Sequence, residues 1–376
     1  MDGGLSIPPE RALASSFAAV AGAHDRDGSF PFENFRALHR AGLLAATAPG
    51  NGDDAGLRRA CDLVAAVAEG CASTALVFAM QLITLKLSAS WPEAPRRKLL
   101  DSVHASGALV NALRVEPALG TPARGGLPET VARRTADGWR LSGRKIYSTG
   151  SPGLRWGVVT VRTDEEPVRT GLLLVAMDAE GVHVEETWDQ LGLRASGSHD
   201  VVFDDVHVPA ENAIDLRPPT AWARPDANNV AWNTTLIAAL YTGVATAARS
   251  WLVRFLRDRV PSNLGAPLAT LPRMQEAVGA VEALLAANRR AIAAVSEDHD
   301  AGVPVVPWEF GLVKTQCAEN SIAAVEGALK LCGNHGLSRA NPLERHMRDV
   351  LCARVHTPQP DAAYGAAGRA LLEAAA

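Results

Sequence analysis

The hydrophobic pattern of this chain changes period twice, and that restricts the folds open to it more than any single motif. From residue 6 to about 105, apolar residues recur at helical spacing, broken at Phe30-Pro31, at Ala48-Pro49-Gly50-Asn51-Gly52 and near Gly70. Pro8 and Pro9 suit a helix start, and Ser73 and Thr74 stand where an N-cap would open the helix after Gly70. From about 108 to 215 the pattern becomes short β-type runs between turn residues. Asp137-Gly138 signals a hairpin between residues 130–135 and 139–142, and runs at 158–161, 172–175, 182–187 and 201–208 read as further strands. After Pro218-Pro219 the helical period returns in three stripes. The first carries Leu236, Leu240 and Val244, the second Val281, Leu285 and Ile292, the third Ile322, Val325 and Leu329. Long amphipathic helices with short links make an antiparallel bundle. Helices, a compact β domain and a helical bundle, in that order, follow from pattern alone.

Composition removes several function classes. The net charge of −4 gives no electrostatic footprint for nucleic acid or an anionic membrane. Cys61, Cys71, Cys317, Cys332 and Cys352 include no Cys-x-x-Cys pair, so they read as small buried hydrophobes in a reducing compartment, with no metal site expected. No uninterrupted apolar run of about 18 residues is present. The expectation is a cytoplasmic protein acting on a small molecule. No Gly-x-Gly-x-x-Gly, Walker loop or His-Glu-x-x-His occurs. Ser198-His199-Asp200 cannot be a relay, because adjacent residues of an extended segment point to opposite faces.

The stretch 188–209, WDQLGLRASGSHDVVFDDVHVP, joins a Gly/Ser-rich turn to a strand ending in Pro209. Such a turn can line a ligand cleft or simply connect strands. It closely resembles a signature of the acyl-CoA dehydrogenase superfamily, and the chain is identified as a member of it. The resemblance implies an α+β, acyl-CoA dehydrogenase-like fold: an N-terminal α-helical domain (1–106), a central β-barrel (107–216) and a C-terminal four-helix bundle (217–376). It also implies a flavin, FAD in the dehydrogenases, and self-association as a homodimer or homotetramer.

Further segments carry the resemblance. Glu116-Pro117-Ala118-Leu119-Gly120-Thr121 resembles the family's loop against the flavin, which would place Gly120 and Thr121 at the cofactor. The 143–150 segment, GRKIYSTG, resembles one whose aromatic packs on the isoalloxazine and whose threonine bonds its edge near N5. Tyr147 and Thr149 fill those positions. In the bundle, Arg259 and Gln275 match residues that reach the FAD pyrophosphate and adenosine of a neighbouring subunit. Gly333 matches a glycine-rich turn near the partner's flavin.

The family's base is missing. Where its glutamate is expected this chain has Thr357. The alternative position on the first bundle helix falls near Asn233 and Thr234, which are not carboxylates. Oxidising an acyl thioester at CH–CH removes an α-proton, and a positioned base is worth about a hundred to ten-thousand-fold. Asp361 and His356 are the nearby substitutes. His356-Thr357-Pro358 also resembles the superfamily's reduced-flavin monooxygenases, which have a histidine-acid-proline loop here. Their second histidine, on an early helix, is Gln81 in this chain. The reading is therefore a flavin oxidoreductase in one of three forms. The first is a dehydrogenase of acyl-CoA or a related molecule with a relocated base, served by an electron-transfer partner. The second is an O2-using monooxygenase with His356 in the site, FMN as its flavin and a flavin reductase as partner. The third is a flavin-binding relative without turnover.

Overall fold

The computed structural model describes residues 9–50, 54–118, 126–222 and 226–374. Five helices come first: α1 (Pro9–Asp27), α2 (Phe32–Arg40), α3 (Leu57–Gly70), α4 (Ala72–Leu87) and α5 (Glu93–Ser106). Eight strands follow: β1 (Leu109–Leu113), β2 (Val131–Arg134), β3 (Gly138–Ser148), β4 (Leu154–Thr163), β5 (Thr170–Ala176), β6 (Val182–Glu185), β7 (His199–Pro209) and β8 (Ala213–Arg217). The chain ends in α6 (Ala227–Asp258), α7 (Pro272–Asp300), α8 (Pro307–Cys332), the short α9 (Asn334–Leu337), α10 (Leu343–Leu351) and α11 (Pro360–Ala374). One hydrophobic core runs through all three sections, from Phe17 and Val64 through Trp139 and Phe203 to Leu240 and Val325.

Local rules account for many of these boundaries. α7 and α8 each begin with a proline, whose missing N–H costs a helix nothing in its first turn. Asp226 caps α6 by accepting the amide of Asn228 at 3.0 Å. Elsewhere the determinants lie far away in sequence. Asp300, at the end of α7, accepts the amides of Leu57 at 2.7 Å and Arg58 at 2.8 Å, so one bundle carboxylate caps α3. Ser73 and Thr74 do not cap α4. That helix starts at Ala72 after an extended Cys71 with no side-chain cap, and the buried Thr74 hydroxyl instead accepts from Asn34 Nδ2 at 2.9 Å. α6 crosses α3 at Gly243, where a Cβ would lie 2.4 Å from the Ala65 carbonyl oxygen, so only glycine allows that approach.

Residues 72–90 and α6 each contain an 18-residue window apolar enough to cross a membrane by length and composition. Those windows are 78% and 67% buried inside the protein, as expected of core helices.

The strands form one mixed sheet in the order β6-β7-β3-β2-β4-β5-β8, with β1 also on β4. The hairpin expected at Asp137-Gly138 forms, pairing Arg134 with Trp139. β1 and β2 run parallel to successive parts of one edge of β4, while β5 takes the other edge. Inward residues of β3, β4, β5 and β7, such as Leu141, Val159, Leu173 and Val206, meet in the shared core, so the sheet curls around a common interior. The β3–β7 register slips between Lys145 and Ser148, leaving an irregularity that contains Tyr147.

The Leu-Gly-Leu-Arg turn is clamped by both helical sections. Asp349 of α10 accepts the Leu193 amide at 2.7 Å, and Arg348 donates to the Leu191 carbonyl at 2.9 Å and to Asp25 of α1 at 2.6 Å. Arg194 Nε donates to the Asp25 carbonyl at 2.8 Å. At Gly192 a Cβ would come within 2.2 Å of the Arg348 carbonyl oxygen, which explains glycine in the motif.

Burial pushes the Asp349 carboxyl up to about 6, against the amide of Leu193 and the nearby arginines. A carboxyl whose folded pKa lies above its unfolded one loses stability as pH rises from about 4 through 6, because the folded state holds the extra proton. Asp349→Asn keeps an acceptor for Leu193 and removes the buried charge. It is expected to stabilise the protein at pH 7 by roughly 1–3 kcal/mol, with the gain gone near pH 4. Thermal midpoints of both proteins across pH 4–8 check this; an equal or lower midpoint for the variant at pH 7 contradicts it.

Candidate active site

Tyr147 has φ +54°, a conformation that non-glycine residues seldom adopt, and its ring is 56% exposed. The register slip turns it out of the ladder. Irregularities of this kind re-aim side chains, and such backbone costs about 1–3 kcal/mol that the surroundings must hold in place. Trp188 meets the Tyr147 ring edge-on, with centroids 6.3 Å apart, and its indole N–H donates to the Leu193 carbonyl at 3.0 Å. The aromatic ledge is thereby tied to the clamped turn.

Beside it, Thr149 Oγ1 lies 3.0 Å from Ser198 Oγ, which lies 2.7 Å from the buried Ser196 Oγ. The Thr149 carbonyl accepts from Asn111 Nδ2 of β1 at 3.0 Å. Ser148 Oγ is buried with no partner among the described residues. Ser198, His199 and Asp200 take unrelated partners, as adjacent strand residues should. Ser198 joins the hydroxyl chain, His199 Nδ1 accepts the Trp188 amide, and Asp200 pairs with Arg144 and Thr187.

Glu116 and Lys145 make a fully buried ion pair at 2.5 Å. Glu116 also accepts from the Thr130 hydroxyl at 2.6 Å and from the Thr130 and Glu129 amides at 3.0 and 2.6 Å. Burial opposes its charge, but Lys145 and Thr130 outweigh it and hold the carboxyl below the usual range. With the Ile146 amide on the Val115 carbonyl at 2.9 Å, this pair fixes the loop after β1 against the strand bearing Tyr147. Gly120 and Thr121 lie outside the described residues.

His356 precedes Thr357, the residue that takes the glutamate's place in the resemblance. Its Nδ1 lies 2.6 Å from the hydroxyl of Tyr241, a residue with 0% exposure on α6. Burial, and then the Lys314 charge, push the imidazole down to about 4, so it is neutral at pH 7. Lys314 of α8 is itself 1% exposed and donates to the carbonyls of Ala353, His356 and Pro358 at 2.8, 2.6 and 3.1 Å. One ammonium thus ties down the loop carrying the histidine. Asp361 is exposed in the first turn of α11, Thr357 is exposed, and Thr234 returns its hydroxyl to the Val230 carbonyl at 2.7 Å. Gln81 is wholly buried. Its carbonyl accepts the Val110 amide at 2.7 Å and its amide donates to the Ala108 carbonyl at 3.2 Å, so it joins α4 to β1.

The remaining candidates gather at one end of the bundle. Arg259 is the exposed, extended residue that follows α6, and its carbonyl accepts the Leu268 amide at 2.9 Å. Gln275, also exposed, donates to the Ala269 carbonyl at 3.0 Å. Gly333 ends α8 at φ +52°, and two residues on His335 packs its ring 5.2 Å from that of Phe255. No hydrogen bond or ion pair among the described residues joins this end to Tyr147 or Thr149. Tyr241, Lys314, Asn111 and Asp349 were not singled out by sequence reasoning. Each acts through a partner more than 35 residues away, for which a single chain carries no local signal.

An open aromatic ledge, a hydroxyl chain beside it and an unpartnered buried hydroxyl fit a flat polar ring system. Tyr147 is exposed and Thr149 part-buried, so both can be reached from outside the protein. A helical section, a curled sheet and a helical bundle around such a ledge define a flavoprotein of the acyl-CoA dehydrogenase type. The chain matches the acyl-CoA dehydrogenase middle domain over residues 114–206 and the acyl-CoA dehydrogenase C-terminal domain over residues 235–359. It is 32% identical over 358 residues to YdbM of Bacillus subtilis (strain 168), provisionally named an acyl-CoA dehydrogenase, across 93% of this chain and 92% of YdbM. It is 31% identical over 358 residues to the amino sugar nitrososynthase RubN8 of Streptomyces rubradiris, across 90% and 82% of the two chains. KijD3, solved with FMN and dTDP-3-amino-2,3,6-trideoxy-4-keto-3-methyl-D-glucose, superposes with a TM-score of 0.78 at 29% identity, over 97% of this chain and 94% of KijD3. The chain belongs to the acyl-CoA dehydrogenase superfamily of flavoproteins and is a flavin-dependent oxidoreductase.

Proposed function

We propose that this protein is a monooxygenase that uses reduced flavin and O2, with His356 at the reacting atoms. One observation carries the reading. The loop to which the resemblance assigns a dehydrogenase's carboxylate carries Thr357 and, next to it, a neutral histidine held by Tyr241, while Asp361 and Thr357 are exposed and Thr234 is spent on the helix backbone. The relatives named amino sugar nitrososynthases point the same way. In the overall reaction one oxygen atom of O2 enters the substrate and the other leaves as water. The two electrons come from flavin reduced by a separate reductase.

Bound flavin supplies two-electron transfer and, when reduced, reaction with oxygen. Tyr147 and Trp188 would cover the ring and exclude water from it. With Ser198 as the donor of their shared hydrogen bond, Thr149 would keep its own proton for the cofactor edge. The buried Tyr241 O–H has no partner but His356 Nδ1 among the described residues, so it donates there and leaves the imidazole proton on Nε2. The Cys352 carbonyl also interacts with the ring and favours its protonated form, but burial outweighs it. His356 therefore offers the site an N–H, suited to steadying a developing negative charge.

Arg259, Gln275 and Gly333 serve the flavin phosphate end of a neighbouring subunit, with the protein self-associated as a dimer or tetramer. Gln275 spends its amide on Ala269, which favours FMN, a flavin with no adenosine to hold, over FAD.

The test is oxygen uptake with FMN, NADH and a flavin reductase over a panel of amines, amino sugars and acyl thioesters. Catalase is added to remove uncoupled peroxide. Uptake coupled to an oxygenated product is expected. Anaerobic bleaching of the bound flavin by an acyl-CoA, without oxygenation of any panel member, sinks the proposal in favour of the dehydrogenase.

A further inference from the structure

Arg114 follows β1 directly, and its surroundings are unlike those of the other arginines near the site. Its Nε is buried without a hydrogen-bond partner. It makes no hydrogen bond or ion pair among the described residues, although the side chain as a whole is only part-buried. Burial lowers its pKa, and the one charge that opposes this is Asp226, which caps α6 and is not within ion-pair distance. A guanidinium buried at Nε and without a hydrogen bond or ion pair among the described residues is left to pair with something other than those residues.

The position of Arg114 follows from the backbone. Val115, the next residue, accepts the amide of Ile146, which adjoins Tyr147, and Asn111 of the same strand holds the Thr149 carbonyl. On its other side lies the start of α6, the helix that carries Tyr241 to His356. Arg114 is therefore next in the chain to the segment that holds the flavin ledge, and its guanidinium feels the charge of Asp226 at the start of α6. An unpaired charge in such a place costs stability unless a ligand pairs with it. The planar fork of arginine matches carboxylate and phosphate oxygens two at a time.

We infer that Arg114 is the anion receptor of the catalytic cleft and that the substrate carries an oxyanion, a carboxylate or phosphate, which docks on its guanidinium. The inference rests on the placing of the flavin at Tyr147 and Thr149, and it adds a substrate class to that reading. The competing source of an oxyanion is the flavin phosphate, which the same reading gives to Arg259.

The test compares wild type with Arg114→Gln and Arg114→Lys, with and without FMN, by calorimetric titration of sodium pyrophosphate and of succinate. Arg97→Ala, at an exposed arginine of α5, serves as control. Wild type is expected to bind at least one of the two anions saturably. Arg114→Gln is expected to bind it at least tenfold more weakly with its FMN affinity within about twofold of wild type, and Arg114→Lys to fall between. Arg97→Ala is expected to bind the anion as wild type does. Removal of an unpaired charge should leave the thermal midpoint of Arg114→Gln no lower than wild type, so a failure to fold would itself count against the inference. Unchanged anion binding in Arg114→Gln, no anion binding in wild type, or loss of FMN affinity in Arg114→Gln would each overturn it, the last by making Arg114 a flavin residue. Failure of wild type to bind FMN at all would instead strike the flavin assignment.

Discussion

His356→Ala is expected to lower turnover by about a hundredfold or more while the protein keeps its flavin. The imidazole adjoins Thr357, the residue that takes the glutamate's place in the resemblance, and it is kept neutral and oriented from both sides. Tyr241 fixes Nδ1, and Lys314 fixes the loop through three carbonyls. Two companion variants separate a donor from a base. His356→Gln can place an amide N–H near the former Nε2, so it should keep turnover within about tenfold of wild type if the ring acts as a donor. As a base substitute, glutamine would be as inactive as alanine. Tyr241→Phe leaves the ring in place but frees its tautomer, and a loss of about 1–3 kcal/mol of orientation and stability is expected. Because the imidazole pKa lies near 4, turnover should show no inflection from this group between pH 5.5 and 8. An inflection near 6.5 that disappears in His356→Gln would contradict the assignment. The readouts are product formation in the reductase-coupled assay and flavin absorbance of the purified variants.

Lys145→Met is expected to be the most damaging single change to the fold around the site. It leaves Glu116 ionised and fully buried without its counter-ion, a loss of about 3–5 kcal/mol. Glu116 lies in the loop after β1 and Lys145 two residues before Tyr147, so the same change should loosen the ledge and weaken FMN binding. The double variant Glu116→Gln/Lys145→Met removes both charges and should recover a large part of the stability, since the single variant suffers mainly from the orphaned carboxylate. Thermal midpoints and FMN titrations of the three proteins check this. A Lys145→Met protein as stable as wild type would mean that the pair does not hold the loop.

What could be read from the sequence had a local cause. The 188–209 stretch contains its own turn and strand, Asp137-Gly138 its own hairpin, and each bundle helix its own apolar stripe. These features reappear in place. β1 escaped notice because it pairs in parallel with β4, so no adjacent turn announces it, and residues 109–113 are too short a run to be told from a helix end. Ser73 and Thr74 mislead for the complementary reason. They satisfy the local capping rule, but the buried Thr74 hydroxyl is claimed by Asn34, 40 residues away. At the site, Tyr147 and Thr149 could be proposed from resemblance. Nothing local showed that the register slip would turn the tyrosine outward, or that Ser196 and Ser198 would extend the threonine into a hydroxyl chain. The supports of His356 come from helices 115 and 42 residues earlier in the chain, a relation only the folded structure expresses.

The central claim is that the ledge of Tyr147 and Thr149 seats the flavin ring. The most direct measurement is an experimental structure of the protein with FMN bound. The account predicts the tricyclic ring lying against Tyr147, with the Thr149 hydroxyl at hydrogen-bond distance from its edge. A ring bound elsewhere, with Tyr147 still open to solvent, would contradict it.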